Sequence, residues 1–527
     1  MSTTTVAALT SAITDFDDKV FIEDGDLKLT FSDTQRLCHQ AAATLIGRGF
    51  ALGDRAAIWA PNISQWVLAA LAIHCAGGVV VPINSRFKGP EATDILAASA
   101  AKWLFSIGEF LNTDYPSQIE HSQLPQLEGI VVLRGTSKAL HCTWTDWLAE
   151  GQGQLSASPQ LVTERSALVS GDHPSDIIFT SGTTGKAKGV ITTHQQNLRT
   201  FTIWSDLVGL DQSDRYLIVN PFFHSFGYKA GILACLLKGC TLIPQLVFDV
   251  DQVLERIAAD KITMLPGPPT LYQSLLAHPK LNDYDLNSLT KATTGAAVIP
   301  TELIDNIRQR LGITTVLTAY GLSESCGLAT MCRHGDPSAT IASTSGRAIP
   351  GIEVACLDRD GRHCNADEIG EIVIRGFNVM QGYLDSPEAT AESIDTAGWL
   401  HTGDIGSLDS DGNLKITDRL KDMYISGGFN CYPAEIESSL NRHPSIVMSA
   451  VIGIAETLMG EVGAAFIQSA DPKLDADAMH QWCRTNMANY KVPKHFIFVD
   501  SLPLNATGKI HKPTLHESWS KGQSTSL

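Results

Sequence analysis

A glycine-rich segment between two apolar runs constrains the fold of this chain more than any other feature. Residues 180–189 contain three glycines, four hydroxyl side chains and two lysines. The runs on either side, residues 176–179 and 190–193, predict two short buried strands joined by the glycine-rich segment.

Such a segment suits the binding of a polyphosphate. Glycines allow successive backbone N–H groups to turn toward one point, and the hydroxyls and lysines add donors and positive charge. The arrangement differs from a Walker loop, because no glycine-lysine-serine or threonine run follows and a strand, not a helix, is predicted next. Taken alone, the segment could also be a hairpin with incidental lysines.

The length and charge of the chain limit its class. At 527 residues the chain is too long for a single core, which predicts two or more domains. A hydrophobic content of 44% and a charged content of 18% are typical of a globular protein. The net charge of −17 argues against nucleic-acid binding, which requires a basic face, so a site for an anionic substrate must be locally basic.

Nothing in the sequence predicts export or a membrane anchor. The eleven cysteines are scattered without paired or zinc-binding spacing, which indicates reduced thiols inside a cell. Residues 1–14 lack a basic residue and a continuous apolar core, so we expect no secretory signal. The apolar run 66–83 contains His74 and Pro82 and is better explained by a buried helix followed by a strand. We therefore expect a cytoplasmic protein without integral membrane association.

Helices and strands are predicted to alternate over much of the chain, which indicates an α/β domain with largely parallel sheets. Residues 151–170 are polar and without a clear period, which predicts a linker. The alternating segments are strands at 56–59, from 79 and at 103–106, helices at 63–76 and 91–100, and a recurrence of the pattern over residues 216–265.

The pattern changes twice toward the C-terminus. From about Gly346, short strands separated by glycine turns predict a β-rich subdomain. After Arg419 the pattern predicts a small α+β domain, with its boundary near Leu420. Its predicted elements are strands at 423–426, 447–454, 464–468 and 496–499 and helices at 433–440 and 476–487.

Two motifs in the predicted α/β region carry side chains that suit an acid and a nucleotide. Residues 221–228 place aromatic side chains around His224, where they would wall an apolar pocket; the alternative is a core with a satisfied histidine. At residues 318–324 a predicted strand ends in Tyr320, which could stack on a base, followed by Ser323 and Glu324, whose oxygens suit Mg²⁺. The alternative is a strand-to-loop turn with a solvated glutamate.

Two turns nearer the C-terminus add a carboxylate and a lysine. Asp404 follows a glycine in residues 399–404 and is suited to accept hydrogen bonds from ribose hydroxyls, although it could be an ordinary turn aspartate. Lys509 lies on a turn within residues 503–509, where the alternative is a solvated side chain.

The order and spacing of these motifs resemble those of the adenylate-forming superfamily, which comprises acyl-CoA synthetases, luciferases and peptide-synthetase adenylation domains. The resemblance covers nearly the whole chain and includes residues 418–423 and 426–435. It implies an α/β fold in which a large N-terminal domain, residues 1–419, has α/β subdomains and a β-rich subdomain. A small mobile α+β domain, residues 420–527, would follow a hinge at Lys421.

The resemblance also implies a role for individual residues. Lys509 would bridge the substrate carboxylate and the α-phosphate, and the catalytic group would include Thr180, His224 and Glu324. Two positions depart from the usual pattern: Ala187 replaces a proline, and Ser323 replaces a threonine but keeps its hydroxyl.

The implied ligands of the other residues are ATP, Mg²⁺ and coenzyme A. The ATP phosphates would be held by Thr180, Ser181, Gly182, Thr183, Thr184, Gly185 and Lys188. The adenine would lie between Gly295, Ala296 and Ala297 on one side and Ala319, Tyr320 and Gly321 on the other. Mg²⁺ would be held by Ser323 and Glu324, the ribose by Asp404 and Arg419, and the pantetheine tunnel would be lined by Ser426, Gly427 and Gly428.

These implied roles predict an ATP-dependent, AMP-forming carboxylic acid:CoA ligase that works through an acyl-adenylate. Activation of an amino acid is disfavoured, because residues 222–224 offer no aspartate for a substrate ammonium and the chain ends soon after Lys509. A luciferase is an alternative on the same fold, but residues 524–527 are no peroxisomal address. A non-catalytic nucleotide-binding module would need neither Lys509 nor a hinge.

Three segments narrow the predicted substrate. Residues 220–235, 265–270 and 427–430 are similar to those of the bacterial sterol-degradation synthetases, which activate the methyl-indanedione propanoate left from steroid rings C and D. A medium-chain fatty acid or an aryl acid is the alternative. Tyr228 and Lys229 are candidates for reaching the substrate carbonyls, although a salt bridge is the more common role for such a lysine. The partners are these small molecules, and a homodimer is left open.

Overall fold

The computed structural model describes residues 2–138, 141–180, 187–295, 299–419, 422–426, 429–456, 459–487, 489–505 and 510–522. Packing divides the chain into a large unit, Met1–Val354 with Ile374–Leu400, and a small unit, Ala355–Val373 with His401–Leu527. The domain boundary predicted after Arg419 stays a prediction. In the division by packing, residues 401–419 belong to the same unit as the residues that follow them.

The helices begin where the sequence supplies capping side chains. Thr30 and Asp33 form a reciprocal capping box on the second helix, and Thr193 and Gln196 form another on the seventh. Such pairs satisfy backbone donors that a helix leaves unbonded at its start. The α-helices are α1 Thr5–Phe16, α2 Phe31–Gly47, α3 Ser64–Cys75, α4 Gly89–Ser99, α5 Trp144–Ala157, α6 Leu161–Ser166, α7 His194–Val208, α8 Ala234–Lys238, α9 Val250–Ala259, α10 Pro269–Leu276, α11 Thr301–Arg310, α12 Ser338–Ser343, α13 Pro387–Ser393, α14 Pro433–Leu440, α15 Ala476–Asn486 and α16 Lys512–Ser520.

The strands follow the apolar runs of the sequence. They are β1 Val20–Asp24, β2 Leu27–Thr30, β3 Arg55–Trp59, β4 Val79–Pro82, β5 Trp103–Ser106, β6 Glu109–Phe110, β7 Thr113–Asp114, β8 Gly129–Val132, β9 Cys142–Thr143, β10 Pro174–Thr180, β11 Lys188–Thr193, β12 Arg215–Ile218, β13 Thr241–Pro244, β14 Lys291–Gly295, β15 Thr315–Tyr320, β16 Thr330–Met331, β17 Arg347–Ala348, β18 Ile352–Leu357, β19 Gly370–Gly376, β20 Gly382–Tyr383, β21 Leu400–Leu408, β22 Leu414–Arg419, β23 Tyr424–Ser426, β24 Phe429–Cys431, β25 Ile446–Glu456, β26 Gly460–Ser469 and β27 His495–Phe498.

The large unit is built around two extended sheets. An eight-stranded sheet has the order β20-β11-β10-β4-β3-β5-β8-β9, parallel from β10 to β9 and antiparallel at β10–β11 and β11–β20. Two four-stranded sheets, β12-β13-β1-β2 and β14-β15-β16-β17, are joined by Met264, which forms parallel bridges to Tyr216 and Lys291. The α/β fold with largely parallel sheets is therefore confirmed.

The small unit contains two sheets with mostly antiparallel pairing. One has the order β18-β19-β21-β22, and the other has the order β24-β23-β26-β25 with β27 parallel to β26. Helices α14, α15 and α16 contribute Ile436, Met479 and Leu515, all nearly fully buried, to the apolar clusters of the second sheet. The α+β pattern predicted after Arg419 is thus the one observed.

The prediction of a linker at residues 151–170 is wrong. Helices α5 and α6 cover most of that segment. Thr143, just before α5, caps the helix by accepting a hydrogen bond from the Asp146 backbone N–H with its side chain. Gly151 weakened the helical pattern, but it is buried where α5 crosses α2: a Cβ there would lie 1.8 Å from the Gln40 carbonyl oxygen. The glycine therefore permits close helix packing and does not mark a break.

Within the parts of the chain that the structure describes, no helix combines the length and the apolar character that crossing a membrane requires.

Candidate active site

Several of the predicted nucleotide-binding residues lie at one edge of the joined sheets. Strands β12, β14 and β15 and the bridge at Met264 are parallel, so their carboxyl ends share this edge. Gly295 at the end of β14 pairs directly with Ala319, which precedes the largely buried Tyr320 at the end of β15. Ligands of α/β proteins commonly bind outside the carboxyl ends of the strands. The structure thus brings Gly295, Ala319 and Tyr320 together, as a common adenine site requires.

The glycine-rich segment is flanked by an antiparallel pair, β10 and β11. Thr180 at the end of β10 pairs with Lys188 at the start of β11, and the Thr180 hydroxyl lies 3.5 Å from the Lys188 carbonyl oxygen. The segment therefore starts and ends at adjacent points. Ser181, Gly182, Thr183, Thr184 and Gly185 lie outside the described residues, so their phosphate contacts stay predictions.

Tyr383 connects the predicted phosphate lysine to the predicted metal carboxylate. Its hydroxyl donates a hydrogen bond to Glu324 Oε1 at 2.9 Å, and Lys188 Nζ lies 4.9 Å from the centre of its ring. Tyr383 is held there because β20 pairs with β11, with Val190 opposite Tyr383. Burial, together with the neighbouring Glu324 carboxylate, raises the pKa of Tyr383, so the phenol stays protonated and donates.

Sequence reasoning missed Tyr383. A tyrosine in a two-residue strand has no spacing signal of its own, because its contact with Glu324 depends on the pairing of β20 with β11.

The donors around Glu324 fit a magnesium ion that is shared with phosphate. Glu324 and Ser323 lie on a short 3₁₀ turn, Ser323–Ser325, and Met380 N–H donates to the Glu324 backbone carbonyl at 2.8 Å. No group of three or more His, Cys, Asp or Glu side chains suited to a metal occurs among the described residues. Mg²⁺ is usually bound by one or two carboxylates with substrate phosphates completing its shell, so a single carboxylate and a hydroxyl fit this ion.

The aromatic segment around His224 is anchored from the other sheet. Asn62, just after β3, donates to the carbonyls of Ile218 and Asn220 at 3.1 and 3.0 Å and accepts from Phe222 N–H at 2.8 Å. Phe222 is fully buried against Trp66, whereas the His224 side chain is exposed. His224 is thus presented at a surface, next to a backbone segment that Asn62 holds in place.

The next residues form a π-helix, Phe226–Leu233, that continues into α8. Such helices are rare and often occur at functional sites. Tyr228 and Lys229 lie on this helix but face the interior, and the exposed fraction of each is 1%. The Tyr228 hydroxyl lies 2.7 Å from His74 Nε2, and Lys229 Nζ lies 2.8 Å from Asp176 Oδ1. The hypothesis that they reach substrate carbonyls is therefore corrected, and the salt bridge for Lys229 is confirmed.

The Asp404 turn is organised within the small unit by Glu371. The Glu371 carboxylate pairs with His401 Nδ1 at 2.9 Å and accepts from Gly403 N–H at 3.2 Å. Thr402 donates to the Ile372 carbonyl at 2.7 Å and accepts from Asp404 N–H at 3.1 Å.

Across the β21–β22 pair, Asp404 lies directly opposite Arg419. The two residues assigned to the ribose region are therefore neighbours.

The remaining predicted residues divide into two groups. Ser426 ends β23 opposite Phe429 and is 5% exposed. Gly321 follows Tyr320 and is half-buried. The others lie outside the described residues, so their roles stay predictions: Ala296, Ala297, Lys421, Gly427, Gly428 and Lys509.

Comparisons with known proteins identify the family of this chain. The profile of the AMP-binding enzyme family matches residues 9–384, and that of the AMP-binding enzyme C-terminal domain matches residues 435–509. Over 515 residues the chain is 47% identical to the 7a-methyl-1,5-dioxo-octahydro-1H-inden-4-yl propanoyl:CoA ligase of Mycobacterium tuberculosis, with 98% of each chain covered. It is 45% identical over 521 residues to the ligase of the same name from Rhodococcus jostii, again with 98% of each covered.

Among solved structures, an anthranilate CoA ligase in complex with anthranoyl-AMP is similar throughout. Its TM-score is 0.88 at 26% sequence identity, and the match covers 99% of this chain and 100% of that chain.

Proposed function

This chain belongs to the AMP-binding enzyme family, and on that premise we propose that it is an AMP-forming CoA ligase for the methyl-indanedione propanoate left from steroid rings C and D. The observation that carries the proposal is near-full-length similarity to two ligases named for that bicyclic acid. The substrates are the acid, ATP and CoA, with Mg²⁺ as the metal ion.

The reaction converts a poor electrophile into a reactive one in two steps. A carboxylate oxygen of the acid attacks the α-phosphorus of ATP, the bond to the β-phosphate oxygen breaks, and pyrophosphate leaves with the electron pair. The CoA thiol then loses its proton and attacks the acyl carbon of the adenylate, which releases AMP and leaves a thioester. Both reactants of the first step are anions, so positioning and charge compensation are the main tasks of the protein.

The chain's own residues divide these tasks. Lys188 lies at the end of the glycine-rich segment, where its ammonium supplies positive charge beside the leaving pyrophosphate. Glu324 and Ser323 would hold Mg²⁺, which when bound offsets the negative charge of the phosphates. Tyr383 fixes one oxygen of Glu324 and leaves the other for the metal. Lys509 would bridge the carboxylate and α-phosphate, as its position in the family pattern implies.

The acid-binding face is assigned to the segment from Asn220 to His224. Its support is the anchoring of this segment by Asn62 and by the packing of Phe222 on Trp66, which leaves His224 at the surface.

Product analysis with Mg²⁺, ATP, CoA and a panel of acids tests the proposal. The panel contains the bicyclic propanoate, octanoate and ferulate. We expect AMP, pyrophosphate and acyl-CoA, with kcat/KM for the bicyclic acid about 100-fold above that for the other two acids.

Other product patterns would overturn part or all of the proposal. A preference for octanoate or ferulate would establish the medium-chain or aryl-acid alternative. Adenylate without thioester would indicate a luciferase- or peptide-synthetase-like activity, and no product with any acid would indicate a non-catalytic module. The proposal also includes a cytoplasmic location, which cell fractionation measures. It includes assembly as a homodimer, which light scattering measures.

A further inference from the structure

A buried ion pair lies between the two halves of the proposed adenylation site. Lys229 Nζ is 2.8 Å from Asp176 Oδ1, and the exposed fractions of the two side chains are 1% and 0%. Lys229 also donates to the Thr192 hydroxyl at 2.9 Å. A charged pair removed this completely from water persists only with close geometry and further hydrogen bonds.

The second oxygen of Asp176 has those further hydrogen bonds. Asp176 Oδ2 accepts from Thr192 Oγ1 at 2.6 Å, from Asn197 Nδ2 at 2.7 Å and from Ser175 Oγ at 2.8 Å. The carboxylate is therefore held by strands β10 and β11 and by helix α7 at once, and only Oδ1 is left for Lys229.

The nearby histidines do not share the positive charge. Burial lowers the pKa of His74 to about 4, and burial together with His74 lowers the pKa of His194 well below its ordinary value. Both imidazoles are neutral near pH 7, so the cation that faces Asp176 is the Lys229 ammonium.

The positions of the pair in the chain give it a role beyond packing. Asp176 and Thr192 are opposite each other in the β10–β11 pair, at the far end from Thr180 and Lys188, which bracket the glycine-rich segment. Lys229 is on the π-helix that starts directly after the His224 segment. One buried contact thus joins the strands that present the phosphate loop to the helix that follows the acid-binding face.

We propose that the Lys229–Asp176 ion pair fixes the position of the phosphate-binding hairpin, β10 and β11, relative to the acid-binding segment from Asn220 to His224. Lys229 is then a positioning residue for adenylation. The inference rests on the proposed function. Adenylation needs the acid and the α-phosphate, two separate molecules, aligned for in-line attack, and small misplacements reduce such rates strongly. Thioester formation from a preformed adenylate does not need that alignment, since acyl group and phosphate are already one molecule.

The test uses paired neutral substitutions, because removal of one partner would leave a buried charge and could prevent folding. In the variant Asp176→Asn/Lys229→Met both charges are lost, the side chains keep about their size, and the amide oxygen still accepts from Thr192 and Asn197. The single variant Lys229→Met is expected to fold poorly and serves as the measure of the lone-charge penalty.

A second ion pair in the large unit supplies a matched control. Lys291 Nζ lies 2.7 and 2.9 Å from the two oxygens of Asp214, whose side chain is 1% exposed. Asp214 precedes β12 and Lys291 begins β14, so this pair is at the amino ends of the strands, opposite the proposed site. The control is the variant Asp214→Asn/Lys291→Met.

Both double variants and the wild type are assayed for pyrophosphate exchange and for thioester formation from synthetic acyl-adenylate, with an acid that the wild type turns over. We expect Asp176→Asn/Lys229→Met to lose about 10- to 100-fold in kcat for exchange, with the KM values of ATP and acid changed less than kcat. Its thioester step should stay within about twofold of the wild type, and the control variant should be unchanged in both steps.

Three results would overturn the inference. Equal loss in both half-reactions would mean a general loss of folded enzyme, and unchanged exchange would mean that the pair only fills the core. Equal loss in the control variant would mean that any buried pair has this effect. A wild type that exchanges no pyrophosphate with any acid would instead overturn the proposed function and, with it, this inference.

Discussion

The Tyr383 side chain lies between Lys188, which is assigned to the ATP phosphates, and Glu324, which is assigned to Mg²⁺. Its hydroxyl holds Glu324 and its ring lies beneath the Lys188 ammonium. A cation near a ring face is attracted by the ring quadrupole, and the hydrogen bond fixes the rotamer of the carboxylate. One residue thereby orients two groups of the proposed site.

Replacement of Tyr383 by Phe should separate these two effects. The ring beneath Lys188 is kept, but the hydrogen bond to a charged group is lost, which typically costs about 1.5 kcal/mol or more. We expect the Mg²⁺ concentration for half-maximal pyrophosphate exchange to rise about tenfold, since 1.4 kcal/mol corresponds to a factor of ten.

The control for this variant is Tyr115→Phe, which removes a hydrogen bond of the Tyr115 hydroxyl to the Ser85 carbonyl, 2.7 Å long, elsewhere in the large unit. Unchanged Mg²⁺ dependence in Tyr383→Phe would refute the role of Tyr383 in orienting Glu324.

His74 should make the protein sensitive to mild acid. Its pKa is lowered to about 4 in the folded protein because burial disfavours the imidazolium, whereas the unfolded chain has a pKa near 6.5. As the pH falls from 6.5 to 4, the unfolded state binds a proton that the folded state does not bind, so the free energy of unfolding falls. The full effect is about 3 kcal/mol, at about 1.4 kcal/mol for each pKa unit.

The measurement is the pH dependence of the thermal midpoint between pH 7.5 and 4.5. His74→Asn should have the shallower slope, although its stability at pH 7.5 is lower because Tyr228 loses its partner. The exposed His363→Asn should keep the wild-type slope. A wild-type slope in His74→Asn would show that this histidine is protonated in the folded protein.

At the scale of elements, the β25–β26 pair of the small unit is shaped by one aromatic side chain. Gly453 and Gly463 lie opposite each other in the antiparallel register, and Tyr424 from the neighbouring strand covers them. A Cβ at Gly463 would lie 2.4 Å from the Tyr424 hydroxyl oxygen, and one at Gly453 would lie 2.3 Å from Tyr424 Cβ. The two glycines therefore leave the space that the tyrosine fills.

Tyr424→Phe should restore the stability of an alanine variant at one of these two glycines but not at the other. Gly463→Ala and Gly453→Ala should each destabilise the small unit by about 1–3 kcal/mol through overpacking. Tyr424→Phe removes the oxygen that the methyl group of Gly463→Ala would meet, so it should restore much of the stability of that variant. It should not restore Gly453→Ala, whose clash involves Tyr424 Cβ. Urea unfolding followed by tryptophan fluorescence measures both cycles, and equal rescue would contradict this packing.

Element types followed closely from local patterns, whereas contacts between elements did not. The strands β3, β4 and β5 lie at their predicted positions because apolar periodicity is a local property. Helix α5 was missed because its glycines weaken the local signal, and the reason for Gly151, close approach to α2, lies in a distant part of the chain.

At the scale of the whole molecule, different residues of the small unit are assigned to the two half-reactions. The large unit contains the phosphate hairpin and the acid segment, and the small unit contains the Asp404–Arg419 pair and the sequence position of Lys509. The family pattern implies that Lys509 acts in adenylation and that residues 426–428 line the tunnel for the pantetheine of CoA.

Lys509→Ala should therefore abolish pyrophosphate exchange and largely spare thioester formation from preformed acyl-adenylate. A bulky side chain at Gly428 should have the opposite effect, slowing the thioester step more than exchange. The exposed Lys521→Ala, on the turn after α16, serves as control. Parallel loss of both activities in Lys509→Ala would contradict the division of labour.

The amino-acid sequence by itself determined the family, the α/β class and the type of chemistry, and the family profiles confirm the first of these. These properties are written in short motifs whose residues are adjacent in the chain, so their spacing is visible without a fold. The individual site residues stay predictions where no contact was described.

Only the tertiary structure decided which groups meet. Tyr383 and Glu324 are 59 positions apart, and Tyr228 and His74 are 154 apart. The sequence left Lys229 open between a substrate contact and a salt bridge, and its partner, Asp176, lies on strand β10, far away in the chain. A single sequence records the chemistry of each side chain but not its neighbours, because neighbours are set by sheet order and register, which depend on the packing of the whole chain.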